Sequence, residues 1–404
     1  MSGKNKFGSG RGTIYLPVKT SWLVLLFSAA VGIILCEGGS RIWIAAVSSG
    51  NENDRVYEIY DEPGEYFGKH PGISKVVLDT YFGYAALPNS SGDGYATNSS
   101  GFRDFREFSA KPPENEIRIF VTGGSTCYGN GAPRHELTIG ALLEKSLRNR
   151  FPEKHIVVIN AAFPGYCMTQ ERIMIENRIL DYNPDLVLLF TGFNDLVYAY
   201  DGVDTLRMQD HFTWRGRIER TVRTADGQTI PPEPMSTNYF FKVRYLLERF
   251  LWEQEVGERK NHLWTYTEKR TSLSRERFEE IIRRDLSIIG ALSRDKGYAV
   301  IVALQPIFLE TKKNLSNHEK KVLHDIRERE GWVDFLRVHI PKLRRIMNHT
   351  AMKYGMTYTC LTDIFDQVEK PIFFDDCHFG DRGNRIVANR LTALMLKELQ
   401  KTGF

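Results

Sequence analysis

Residues 117–126 read IRIFVTGGST: an apolar run over 117–121, then Gly123-Gly124-Ser125-Thr126. The run has strand composition, and the paired glycines end it where a helix is due to begin. Downstream, apolar runs recur at 156–159, 186–190 and 298–304, with a weaker one at 356–360. All but the last are nearly continuous in apolar residues, as strands covered on both faces are. Between them, 137–147, 170–180, 278–292, 333–352 and 383–399 carry apolar residues at helical spacing. Pro184, in Asp181-Tyr182-Asn183-Pro184-Asp185, ends one helix before the third strand, since the residue before proline avoids the helical region. Strands alternating with helices predict an α/β fold, an open sandwich of parallel strands with helical crossovers.

Sites in such sheets lie beyond the carboxyl ends of the strands, where the crossover direction reverses. Ser125 follows the first strand there, Gly165 of Phe163-Pro164-Gly165-Tyr166 the second, and Asn194 of Gly192-Phe193-Asn194-Asp195 the third. Near the C-terminus, Asp375-Asp376-Cys377-His378 places an acid and a histidine three apart. Each has an ordinary reading: Ser125 as a helix N-cap, Asn194 as a turn residue, the acid and histidine as a surface loop. Taken in chain order they make a different pattern. A serine hydroxyl is a poor nucleophile until an imidazole takes its proton, a carboxylate orients that imidazole, and donors await the oxyanion. One candidate stands for each role. The G-x-S-x-G elbow of another hydrolase class is not this pattern, because Cys127 occupies its second glycine.

In order and spacing these blocks resemble the SGNH hydrolases, also called GDSL esterases and lipases, over about residues 115–404. The resemblance implies Ser125 as nucleophile, Asp375 and His378 as the remaining dyad, and Ser125, Gly165 and Asn194 as oxyanion donors. It also implies a three-layer α/β/α sandwich with a five-stranded parallel sheet in the order 2-1-3-4-5, and no metal or organic cofactor. The family usually has Gly-Asp-Ser where this chain has Gly123-Gly124-Ser125. The implied activity is removal of a short acyl group, acetyl above all, from an acylated glycan or small ester. An O-acyltransferase, a lipid esterase and a non-catalytic glycan-binding module are the alternatives.

The 404 residues, 42% hydrophobic and 26% charged, suffice for one large domain with attachments. A formal charge of +4 gives no footprint for nucleic acid. Residues 1–20 carry Lys4, Lys6, Arg11 and Lys19 and no acid, and an uncharged apolar run over 22–36 follows, resuming at 42–47. That layout predicts a basic cytoplasmic tail, a signal-anchor over 21–47 and a catalytic domain outside the cytoplasm. A cleaved signal peptide shares the layout, but Ala46-Val47-Ser48 lies far from the apolar run. An irregular extension is expected over 48–114, with a tight turn at Asn98 to Arg103, and a cap-like insertion over 196–274, rich in aromatics and arginines. Five cysteines without a C-x-x-C pair predict neither a zinc site nor a disulfide scaffold. Cys127 and Cys167, each two residues past a candidate site residue, either bridge or stay as buried thiols.

Overall fold

The computed structural model describes residues 76–79, 81–92, 95–132, 134–202 and 271–401. The tail and span expected over 1–47, the start of the extension, Cys36 and most of the expected insertion lie outside them. Among the described residues, no helix is long and apolar enough to cross a membrane.

Strands β5 (Glu116–Gly123), β6 (His155–Asn160), β7 (Leu186–Thr191), β8 (Ala299–Leu304) and β9 (Thr357–Cys360) form one parallel sheet, in the order β6-β5-β7-β8-β9. Counted from β5 this is the order 2-1-3-4-5. All six residues of the central β7 are buried. Such a strand is sandwiched between helical layers, so its apolar run lacks polar alternation. Helices α2 (Ile139–Arg150) and α8 (Asp381–Lys401) pack together as one layer. Helices α3 (Met168–Asn177), α4 (Phe193–Asp201), α5 (Thr271–Lys296) and α7 (Trp332–Lys353) pack as the other. Right-handed crossovers demand this division: the step from β5 to β6 runs one way along the sheet and every later step runs the other. The reversal opens a crevice at the carboxyl ends of β5 and β7.

Three expectations change. Residues 196–201 are not part of an insertion but the body of α4, packed on α5 and α7, so the third strand has its own helix. The described part of the extension is not wholly irregular either. An antiparallel pair, β1 (Val76–Asp79) with β2 (Gly83–Ala86), precedes a shorter one, β3 (Ser91–Gly92) with β4 (Tyr95–Ala96). The turn at Asn98 to Arg103 faces inward: Asn98 Oδ1 accepts the N–H groups of Ser100 and Phe102, while Phe102 and Arg103 are buried. Arg103 donates its backbone N–H to Asn160 O and lies over the Tyr128 ring, 4.5 Å from its centroid. Burial lowers its pKa to about 10, so the guanidinium stays charged at neutral pH. Finally, α6 (Asn317–Glu328) was not among the helices expected from apolar spacing, because much of its surface is exposed and polar.

The end of β5 depends on close contact with β7. A Cβ on Gly123 would lie 2.3 Å from Phe190 O and 2.8 Å from Cys127 Cβ. Gly123→Ala is therefore expected to lower unfolding free energy by about 1–3 kcal/mol, read by chemical denaturation. Unchanged stability would show that the two strands have more room than this packing allows.

Candidate active site

Ser125 opens the short helix α1 (Ser125–Tyr128), whose N-cap position falls on Gly124. The Ser125 hydroxyl is thus not a helix cap. It lies 2.6 Å from His378 Nε2. His378 Nδ1 in turn lies 2.6 Å from Asp375 Oδ2. The three-residue spacing from acid to histidine works through a local turn. Asp375 Oδ1 accepts the N–H groups of Cys377 (2.8 Å) and His378 (2.7 Å), an Asx-type turn that leaves Oδ2 for the imidazole. With an ionised carboxylate on Nδ1, the neutral ring carries its proton there and Nε2 is the acceptor facing Ser125.

The loop bearing the pair is closed by a bridge between Phe373 and Phe379, and Phe374 N–H donates to His378 O at 3.2 Å. Phe374 also stacks on the His378 ring, with centroids 5.8 Å apart and planes 8° from parallel. Asp376 is held from outside the loop: its carbonyl accepts Phe308 N–H at 3.0 Å, and its carboxylate pairs with Arg329 at 2.6 Å.

Asn194 and Tyr166, the residue after Gly165, meet at Gly124 just before Ser125. A Cβ on Gly124 would lie 2.3 Å from Asn194 Nδ2 and 3.3 Å from Tyr166 O, so three segments converge at this glycine. The bare backbone at Gly124 leaves room for the Asn194 amide. That amide donates one hydrogen to Tyr166 O at 2.8 Å, and an amide nitrogen has a second to offer. Gly165 has φ +82°, a conformation glycine adopts without strain. Helix α4 fastens this turn twice more. Tyr198 donates its hydroxyl to Gly165 O, and the buried Asp195 carboxylate accepts Met168 N–H at 3.1 Å. Burial pushes the Asp195 pKa up to about 7.

Around the imidazole, burial alone would favour the neutral ring. The Asp375 charge and hydrogen bond, with a smaller contribution from Asp376, outweigh it and raise the His378 pKa above 6.5. Burial likewise works to raise Asp375, but the His378 charge and the bonds from His378 and Cys377 bring it down to about 2. Asp375, Cys377 and His378 place three potential metal ligands within 4.8 Å of one another. Burial, then Asp375, raises the Cys377 thiol pKa, and both ring nitrogens of His378 already face hydrogen-bond partners. This donor set suits a proton relay. Cys127 and Cys167 are buried free thiols, which removes the bridge between them.

The structure thus brings Ser125, Asp375 and His378 into one hydrogen-bonded chain and sets Asn194 and the Gly165 turn beside it. Sequence reading did not identify Phe374, Asp376, Arg329 or Tyr198. Of these only the first two had a signal, adjacency to Asp375; Arg329 and Tyr198 reach the site through tertiary packing.

No protein-family model matches the chain, and no curated protein does. Solved structures similar to it include an α/β hydrolase from the metagenome of Lake Arreo, Spain, at 15% identity and TM-score 0.40, covering 69% of this chain and 94% of that one. An acetyl xylan esterase from Geobacillus stearothermophilus matches at 14% identity and TM-score 0.39, covering 70% and 94%. A two-domain esterase active on acetylated mannans matches at 14% identity and TM-score 0.38, covering 70% and 50%. Likenesses this distant say nothing of what this chain acts on, and the functional reading rests on the geometry.

The His378 imidazole is expected to titrate above pH 6.5 in an NMR titration of the labelled ring, and Asp375→Asn is expected to bring that midpoint down. A midpoint indifferent to Asp375→Asn would mean the two side chains do not interact in solution.

Proposed function

We propose that the chain is a serine esterase of the SGNH type. The observation that carries this reading is the continuous chain from Asp375 through His378 to Ser125, with both links at 2.6 Å. Neutral His378 takes the Ser125 proton through Nε2 as Oγ attacks an ester carbonyl. The carbonyl oxygen becomes an oxyanion facing the N–H of Ser125, the N–H of Gly165 and the second amide hydrogen of Asn194. His378 then returns the proton to the departing alkoxide, leaving an acyl group on Ser125. Water, deprotonated by the same imidazole, releases that group. Asp375 keeps the ring oriented and stabilises its charged form.

The substrate proposed is a short acyl ester, an acetyl group above all, on a carbohydrate or related envelope molecule. The basic tail and apolar run at the N-terminus support a membrane-tethered enzyme with this domain outside the cytoplasm.

Ser125→Ala is expected to abolish both fluorophosphonate labelling and hydrolysis of 4-nitrophenyl acetate in folded protein. Asn194→Ala is expected to lower kcat about 100- to 1,000-fold, the usual loss for one oxyanion donor. Labelling that survives Ser125→Ala would reject the nucleophile. With an acetylated oligosaccharide, free acetate in the product mixture supports the esterase, while acetyl moved to an added glycan acceptor would reassign the reaction to transfer.

The acid limb of kcat/KM should follow His378. Because only the neutral ring accepts the serine proton and its pKa is raised, the rate should fall as pH drops through a value above 6.5. A flat profile from pH 8 to about pH 5 would remove His378 as the base.

A further inference from the structure

The loop that carries Asp375 and His378 lies beyond the sheet. Its root, however, is tied to a side chain some fifty residues earlier. Ile372 N–H donates to Glu319 Oε1 at 3.0 Å, and Phe373 N–H reaches the same oxygen at 3.4 Å. Glu319 is the third residue of α6 and completes a capping box there: Oε2 accepts Ser316 N–H at 3.0 Å, and Ser316 Oγ accepts Glu319 N–H at 3.2 Å. Lys313 Nζ lies 2.8 Å and 2.6 Å from the two carboxylate oxygens, and both side chains of the pair are 0% exposed.

A capping box needs neither the lysine nor the two N–H groups from a remote loop. A fully buried ion pair is also a poor source of stability, because the desolvation of both charges offsets their attraction. What the arrangement supplies is position. One carboxylate oxygen fixes two consecutive peptide groups immediately before Phe374 and Asp375, and Lys313 holds that carboxylate ionised and in place. Burial would raise the Glu319 pKa, but the Lys313 hydrogen bond and the donated N–H groups outweigh it and lower it.

We propose that the Lys313–Glu319 pair is a positioning device for the acid–histidine loop, with Glu319 acting through the Ile372 and Phe373 peptides to set His378 against Ser125. The proposal rests on the reading of Ser125, His378 and Asp375 as a triad. A misplacement of about 1 Å at such a site costs about 100-fold in rate, so a clamp on the loop's root acts on kcat.

The test uses the full chain, with 4-nitrophenyl acetate kinetics and the rate of fluorophosphonate labelling, each variant's fold being checked by near-ultraviolet circular dichroism. Glu319→Asp keeps the charge but withdraws the acceptor by one methylene. It is expected to lower kcat by about tenfold or more at unchanged KM, and to weaken the downfield NMR signal of the proton between His378 and Asp375. Glu319→Gln combined with Lys313→Met removes both charges but retains a carbonyl acceptor for Ile372 and Phe373, and is expected to recover most of the lost rate. Parental kcat in folded Glu319→Asp overturns the proposal, as does a folded double variant, Glu319→Gln with Lys313→Met, that is as slow as Glu319→Asp. If the parent protein is not labelled at Ser125, the triad reading itself fails. If it is labelled and Glu319→Asp labels equally fast, only the clamp fails.

Discussion

A 2.6 Å contact between Ser125 Oγ and His378 Nε2 spans 253 residues of sequence, and the proposed chemistry depends on it. Neither residue is reactive alone. The serine needs a base at hydrogen-bond distance, and the imidazole needs a partner that holds its proton on the far nitrogen. The parallel sheet supplies one half of the requirement by ending β5 at Gly123, so that Ser125 begins a helix at the reversal of crossover direction. The loop after β9 supplies the other half, and it needs more support because it is not a strand.

That support comes from several directions. The Phe373–Phe379 bridge closes the loop, Phe308 N–H and Arg329 hold Asp376, and Glu319 holds the peptides at the root. On the opposite side, α4 fastens the Gly165 turn through Asn194, Asp195 and Tyr198. Asn194 and the Gly165 turn are therefore held by a helix, whereas His378 is held by a braced loop. The glycine pair before the serine has a steric reason of its own. Gly123 lies against the β7 backbone and Gly124 against the Asn194 amide, so neither position has room for a side chain.

Much of this was legible in the chain. Every expected strand is present, because a strand buried on both faces is an unbroken apolar run and hard to mistake when helical segments separate the runs. The helices at 139–150 and 332–353 match their apolar spacing closely, the second even with Pro341 inside it. Helix α6 was missed although Ser316-Asn317-His318-Glu319 has the spacing of a capping box. The motif reads as a helix start but does not say that its glutamate also serves a loop fifty residues away. The start of the expected insertion differs for a related reason: a charged and aromatic stretch follows Asn194 directly, and only packing on α5 and α7 reveals that 196–201 completes an ordinary crossover helix.

The sequence by itself determined the periodicities, hence strands, helices and their alternation, and it marked Ser125, Gly165, Asn194, Asp375 and His378 by their place after those elements. Such patterns are local, set by side-chain polarity and backbone preference over a few residues. Which hydroxyl meets which ring nitrogen, that Gly124 must be bare because Asn194 fills its space, and that Lys313 and Glu319 brace the acid–histidine loop were decided by the tertiary structure. These are contacts between residues tens to hundreds apart, and their energies depend on distances of a few ångströms that exist only once the layers have packed.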